Sequence, residues 1–262
     1  MIIHQIPNSY GNYNYNAFIY TEALWESHFH GNYELIYGIE GNTEISLNGI
    51  KYILLPGELI LISPYTIHSL NGLKQSKIWV GVFSEDYIVG FSEKNQFIDF
   101  IKFKCDNKIT DILKEYLFFQ GKPEHYLLMA CLYMVCNECC KNSVVRNAKK
   151  DDKFMFEIIR YISENLSQDI TLKETAKKLN YEYHYFSSLF NKCFCMNFKS
   201  FVNIFRFETA CKILGNKSEP ITSVCDKSGF GSIRNLNRVF KQLSGFTPSE
   251  YRRTMNGINR DF

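Results

Sequence analysis

The chain has 262 residues, 45 % of them hydrophobic and 22 % charged, with a net charge of +3. That supplies the apolar material of an ordinary globular protein and a length of about two domains. No apolar run approaches the ~20 residues that span a bilayer, and Met1–Tyr10 lacks the basic and apolar regions of a secretory signal. The expectation is a cytoplasmic protein with no membrane partner. The net charge conceals an asymmetry: residues 1–145 carry a net −5 and residues 146–262 a net +8. A basic half points to a polyanionic partner, most commonly nucleic acid, although a merely solvated surface has the same signature.

The first ~85 residues read as short strands. β-rich or alternating runs cover Tyr33–Ile39, Thr43–Leu47, Tyr52–Leu55, Leu59–Ile62 and Ile78–Phe83, punctuated by Gly41, Asn48-Gly49, Pro56-Gly57, Ser63-Pro64 and Asn71-Gly72. Asn48-Gly49 is a two-residue hairpin signal. Many short strands at close spacing predict an antiparallel β-barrel or jelly roll.

From about Phe97 the period becomes helical. Ile109, Ile112, Leu113 and Leu117 form one apolar stripe, and a second, very apolar helix begins at Leu127–Val135. A helix apolar nearly all round must bury its surface in a core or against a partner. Cys131, Cys136, Cys139 and Cys140 fall within it. A zinc site would draw pairs of ligands from separate elements, so the nine irregularly spaced cysteines read as reduced, mostly buried thiols. Asn142–Asp152 is polar and charged, the composition of a linker. Beyond it Phe154/Met155, Ile158, Ile159, Ile162 and Leu166 keep helical spacing.

Residues 170–251 contain an internal repeat of about 50 residues. Phe186, Leu189, Phe190 and Phe201 recur as Leu236, Val239, Phe240 and Tyr251. Leu172, Ala176 and Tyr181 recur one residue closer, as Ile221, Cys225 and Phe230. Each copy has the plan of a helix-turn-helix: a short helix (Leu172–Leu179; Ile221–Ser228), a turn on a residue that tolerates left-handed backbone (Asn180; Gly229), an inward aromatic (Tyr181; Phe230), then a second helix. Thr171 with Glu174 and Thr247 with Glu250 have capping-box spacing, and Pro248 suits a first helical position. Helical phase places Tyr185, Phe186, Leu189, Phe190 and Cys193 on the inner face of the first copy, with His184, Ser187, Ser188 and Asn191 outside. The second copy has Leu236, Val239, Phe240 and Leu243 inside and Arg234, Asn237, Arg238 and Lys241 outside. Arg and Asn can make bidentate contacts to guanine and adenine edges in the major groove, whereas Lys241 suits a phosphate. One such face would be an ordinary solvated surface; two matched faces in a basic half point to double-stranded DNA. A continuous helix over Phe198–Leu214 would fix their separation and let them enter successive grooves about 34 Å apart.

On these residues the C-terminal part, ~154–254, resembles the DNA-binding domain of the AraC/XylS family of bacterial regulators, with Gly229–Arg253 closest to that family's signature. The resemblance implies a seven-helix unit. Departures are Asn235-Leu236 where Tyr-Phe is frequent, Glu182 where a shorter cap is common, and the aliphatic Ile233 at the start of the second reading helix. The N-terminal part resembles the cupin-like sensor domain of the same family: His28, His30, Glu34 and Gly41 have first-motif spacing, and Gly57, Pro64 and His68 form a looser second motif.

The resemblance implies a multidomain α+β protein. Residues 1–90 would be a cupin-like effector-binding domain of β-barrel or jelly-roll type, 91–145 a helical dimerisation and linker region, 146–153 a linker, and 154–255 an all-α domain with two helix-turn-helix units. It further implies a non-enzymatic transcription regulator, most often an activator, that is homodimeric, contacts RNA polymerase and binds a small molecule, commonly a carbohydrate. His28, His30, Glu34 and His68 would line or close the effector pocket. Trp25, Tyr37 and Trp79, and also Phe29, offer stacking surfaces, though each reads equally well as core. No cofactor or metal is expected in such regulators; were an ion present, those three histidines and Glu34 would hold it. The alternatives are a metal-sensing regulator and a metal-dependent cupin enzyme fused to a DNA-binding module.

Overall fold

The computed structural model describes residues 3–4, 14–91, 102–119, 121–142, 150–216 and 218–258. The chain divides into two compact units, Met1–Asn147 and Ala148–Phe262.

Among the described residues of the first unit, nine strands form two sheets: β1 (Ile3–His4), β2 (Tyr15–Thr21), β3 (Leu24–Phe29), β4 (Tyr33–Glu40), β5 (Thr43–Leu47), β6 (Ile50–Leu54), β7 (Leu59–Ile62), β8 (His68–Gly72) and β9 (Lys77–Phe83). One sheet has the order β1-β3-β8-β5-β6, the other β2-β9-β4-β7. All pairings are antiparallel except β1 with β3. Asn48-Gly49 closes the β5–β6 hairpin with both residues at positive φ (47° and 81°), the backbone that a two-residue turn requires.

Burial explains the sequence pattern of each sheet. β7 and all but the first residue of β9 are buried, whereas β5 alternates. Ile36, Ile60, Ile62, Val80 and Val82 of the four-stranded sheet share an aliphatic core with Ile45, Leu47, Leu54 and Leu70 of the other. The opposite face of the four-stranded sheet carries Tyr33, Leu35, Tyr37, Leu59, Leu61, Trp79 and Phe83. These pack against two helices, α1 (Asn107–Tyr116) and α2 (His125–Asn142), through Leu113, Leu128, Cys131, Leu132 and Val135. A sheet covered on both faces reads as continuous apolar runs. β2, β3 and β8 escaped the sequence reading: β3 alternates poorly, and its register shifts between Trp25 and His28.

Several expectations are corrected. Residues 102–106 are not helical; Phe103 instead forms a backbone bridge with Leu59 (2.8 and 2.9 Å), extending the sheet edge. The expected helical onset at Phe97 and linker residues 143–149 lie outside the described residues. The remainder of the expected linker is helix, because α3 (Lys150–Asn165) starts at Lys150; propagation from an anchored stripe is cheap once nucleated, and Phe154, Ile158 and Ile162 are that stripe, fully buried. Among the described residues part of α2 is exposed. Tyr126 is 83 % exposed, and Leu127 and Tyr133 are also exposed. Ile112 points outward as well.

The second unit has seven helices among the described residues: α3, α4 (Leu172–Lys178), α5 (Tyr183–Phe194), α6 (Phe198–Leu214), α7 (Ile221–Lys227), α8 (Ile233–Ser244) and α9 (Pro248–Ile258). α6 is continuous over the expected span and buried on most of its circumference. Among the described residues no helix is long and apolar enough to cross a membrane.

Candidate nucleic-acid interface and buried histidine cluster

Each repeat builds its outer helix from a cap, a left-handed turn and an aromatic plug. In the first copy the Thr171 hydroxyl accepts from the Glu174 N–H (3.2 Å) and donates to its carboxylate (3.0 Å), starting α4. Asn180 turns the chain at φ 60°. The Tyr181 ring packs edge-on against Phe154 and Phe186, and its hydroxyl donates to Glu157 (2.9 Å). Glu182 caps α5 by accepting from the Tyr185 N–H (2.8 Å), so the longer side chain does the work of the usual short cap. In the second copy Gly229 turns at φ 77° and lies against the Leu166 carbonyl. Phe230 is buried, and Ser232 caps α8 through the Asn235 N–H (3.2 Å).

Phe186, Leu189 and Phe190 of α5 and Leu236, Val239 and Phe240 of α8 are buried. His184, Ser188 and Asn191 are exposed and Ser187 half-buried; Arg234, Asn237, Arg238 and Lys241 are all exposed. Three assignments shift. Tyr185, expected inside, is 42 % exposed, its ring parallel to Tyr181 (14° between planes, 6.2 Å), and Cys193 and Leu243 are only half-buried. All three sit at the margin of the apolar arc, where a few degrees of helix rotation decide exposure.

α6 carries both outer helices. Phe198 and Phe201 meet Phe190 of α5 (5.1 and 5.5 Å between ring centroids), and Phe207 meets Phe240 of α8 (4.6 Å). Its N-cap Asn197 accepts from the N–H groups of Lys199 and Ser200. Two clefts of about 480 Å³ each flank its first turn, one reaching Ser187 and Asn191, the other Asn235, Arg238 and Gln242; Lys199 lines both. Lys199, Asn235 and Gln242 adjoin the expected ridges and were not among the expected contacts. Asn235 and Gln242 were legible by helical spacing from Arg238, whose guanidinium donates to Asn235 (2.8 Å) and Gln242 (3.4 Å).

In the first unit His28, His30, Glu34 and His68, drawn from β3, β4, β8 and the loop after β3, converge. They are at most 1 % exposed, and one ligand-type atom from each lies within 4.8 Å of the others. Every imidazole uses Nδ1 on a backbone carbonyl: His28 on Glu26 (2.8 Å), His30 on Asn32 (3.0 Å), His68 on Thr66 (2.8 Å). A carbonyl only accepts, so each Nδ1 carries a proton; Nε2 then offers a lone pair when the ring is neutral and a donor N–H when it is protonated. His30 Nε2 is 2.9 Å from Glu34 Oε2, and His68 Nε2 is 3.5 Å from the same oxygen, outside good hydrogen-bond range. Among the described residues, Nε2 of His28 and His68 and Oε1 of Glu34 have no hydrogen-bond partner.

Lone pairs facing a carboxylate in a dry interior repel unless a proton or cation lies between them. Burial and the neighbouring His68 push the His28 imidazole down to about 4, leaving it neutral. Burial acts to raise the Glu34 carboxyl, but His68 and the hydrogen bond from His30 outweigh it and hold it below the usual carboxylate range. Burial likewise opposes charge on His68, but Glu34 raises its pKa.

Of the aromatic candidates, Trp25 belongs with this cluster: it stands edge-on to His28 (6.0 Å) and to Tyr20 (4.8 Å). Tyr37 and Trp79 do not. Tyr37 stacks on Phe118 (4.2 Å, 12°) and the Trp79 indole donates to the Phe119 carbonyl (3.0 Å), on the face of the four-stranded sheet that packs against the helices. Strand alternation separates them from Glu34, an odd number of positions from Tyr37 on β4.

A β-sheet domain with an interior polar cluster is followed in the chain by a helical domain with two helix-turn-helix units. An AraC-like ligand binding domain model matches residues 18–72 and a helix-turn-helix domain model residues 175–254. The chain thus combines an AraC-like ligand-binding domain with a helix-turn-helix domain. It is 31 % identical over 115 residues to the regulatory protein PocR of Salmonella typhimurium, but that match spans only 38 % of PocR and 44 % of this chain. The HTH-type transcriptional regulator YobQ of Bacillus subtilis is 22 % identical over 88 % of this chain and 90 % of its own. Among solved structures, ToxT of Vibrio cholerae aligns over 93 % of this chain and 98 % of its own at 14 % identity and a TM-score of 0.47. The two relatives are named as regulators, not as enzymes.

Proposed function

We propose that this chain is a sequence-specific DNA-binding transcription regulator, controlled by a ligand held in its N-terminal β domain. The observation that carries the reading is the pair of exposed polar ridges, His184–Ser187–Ser188–Asn191 and Arg234–Asn237–Arg238–Lys241, at equivalent repeat positions on helices packed against the one helix α6. Arg234, Asn237 and Arg238 are the base readers, Lys241 is a phosphate contact, and the ridge of α5 reads with serine, Asn191 and His184. The exposed part of α2 with Tyr126, Leu127 and Tyr133 suits a homodimer contact, and the family resemblance extends the reading to a cytoplasmic activator that contacts RNA polymerase. Selection of bound duplexes from a random pool by the full chain should yield one defined motif. Arg238→Ala should then weaken that duplex by about 1–3 kcal/mol and relax one base position. Equal loss on all sequences would reassign Arg238 to a phosphate, and absence of any motif would sink the reading.

The resemblance suggests a carbohydrate effector, but the converging lone pairs favour a second reading in which a divalent transition metal is, or helps to bind, the effector. His28, His30, Glu34 and His68 would be its ligands. Backbone carbonyls already fix the ring orientations from behind, the outer-shell support usual for ligating histidine. Such an ion would supply charge neutralisation to Glu34 and a coordination point for a small molecule beside Trp25. Ligand binding shifts DNA affinity only through unequal affinity for the two arrangements it couples. Metal-depleted protein should take up about one equivalent of zinc, nickel or manganese, His30→Ala should abolish uptake, and loading should change affinity for the selected duplex. No uptake, or the same uptake by His30→Ala protein, would overturn this second reading and leave the first intact.

A further inference from the structure

Both outer helices begin with a large apolar side chain in an exposed place. Tyr183 is the first residue of α5 and Ile233 the first of α8, 50 positions apart and therefore equivalent in the repeat. Each is 43 % exposed. Each precedes the first member of a polar ridge, His184 or Arg234, and lies one turn before the second, Ser187 or Asn237. The caps Glu182 and Ser232 fix the backbone at these points. One exposed apolar residue is ordinary. Two at matched positions beside matched polar ridges, both at the helix end that helix-turn-helix proteins lead into the major groove, call for an apolar partner there. The major groove offers one apolar group, the C5-methyl of thymine.

We propose that Tyr183 and Ile233 read thymine methyl groups, one in each of two grooves, and so set an A·T preference at one edge of each half of the site. The inference rests on the DNA-binding reading above and adds two specificity determinants outside the polar ridges. Tyr183 presents the flat of a ring, set edge-on to His184 (73° between planes), and Ile233 a branched aliphatic surface.

The test uses the full chain and its selected duplex, with each thymine replaced singly by deoxyuridine, which removes only the methyl. Wild-type affinity should fall about three- to fivefold at one thymine in each half, the worth of one buried methyl group, and stay level elsewhere. Ile233→Ala should weaken the thymine duplex and erase the thymine–uracil difference in one half only. Tyr183→Ala should do the same in the other half, and Tyr183→Phe should preserve it. A selected duplex bound equally well with uracil throughout, or a difference that survives Ile233→Ala and Tyr183→Ala, would overturn the proposal while leaving DNA binding standing. Failure to select any duplex would overturn both.

Discussion

At the scale of single residues, the two repeats solve one geometric problem in different ways. Asn180 and Gly229 both turn the chain with left-handed backbone, but only Gly229 has a carbonyl, that of Leu166, where a β-carbon would stand. Gly229→Ala should therefore cost about 3 kcal/mol or more, against about 1 kcal/mol for Asn180→Ala, whose β-carbon is already accommodated. Equilibrium unfolding in denaturant checks this; equal costs would show that the Leu166 contact relaxes freely. The turn residues and the polar ridges were legible because periodicity and left-handed propensity act locally. Tyr37 and Trp79 were not: an aromatic strand residue suits a ligand pocket and a helix-covered core equally well, and only the sheet's second cover, the helical segment that carries Phe118 and Phe119, decides between them.

At the scale of elements, caps set where helices begin. Glu182 and Glu250 hold the first turns of α5 and α9 by accepting backbone N–H bonds, Glu182 from His184 and Tyr185 (2.8 Å to the latter) and Glu250 from Thr247 (2.7 Å), and those bonds keep both carboxyls below the usual range. A depressed folded-state pKa contributes stability above the unfolded-state pKa, and that contribution is lost as pH falls through the folded value. Thermal stability should thus decline on acidification from about pH 6 to about pH 3, and Glu182→Gln should flatten part of that decline. An unchanged slope in the variant would show that the Glu182 cap makes no difference. Strand existence was less legible than helix existence. β2, β3 and β8 pair with partners distant in sequence, and β3 carries a register shift, so nothing local marks them. The bridge of Phe103 to Leu59 is non-local in the same way.

At the scale of the whole molecule, the chain forms two compact units, Met1–Asn147 and Ala148–Phe262. A fragment of residues 148–262 should fold and bind the duplex selected by the full chain, losing only its response to the N-terminal ligand. A fragment without cooperative unfolding would show that the helical unit depends on the β domain. What the sequence determined by itself was everything governed by near neighbours: the repeat, the capped and turned helices, the outward polar ridges, the hairpin at Asn48-Gly49 and the change from strands to helices. Spacing along one chain is enough for these because helix and turn energetics extend only a few residues. The tertiary structure alone decided that His28, His30, Glu34 and His68 meet with every Nδ1 turned away on a carbonyl, that Trp25 joins them while Tyr37 and Trp79 do not, and that Tyr126 of α2 is exposed. Those facts depend on which distant strands pair and in what register, a matter set by burying apolar faces of whole sheets rather than by any local propensity.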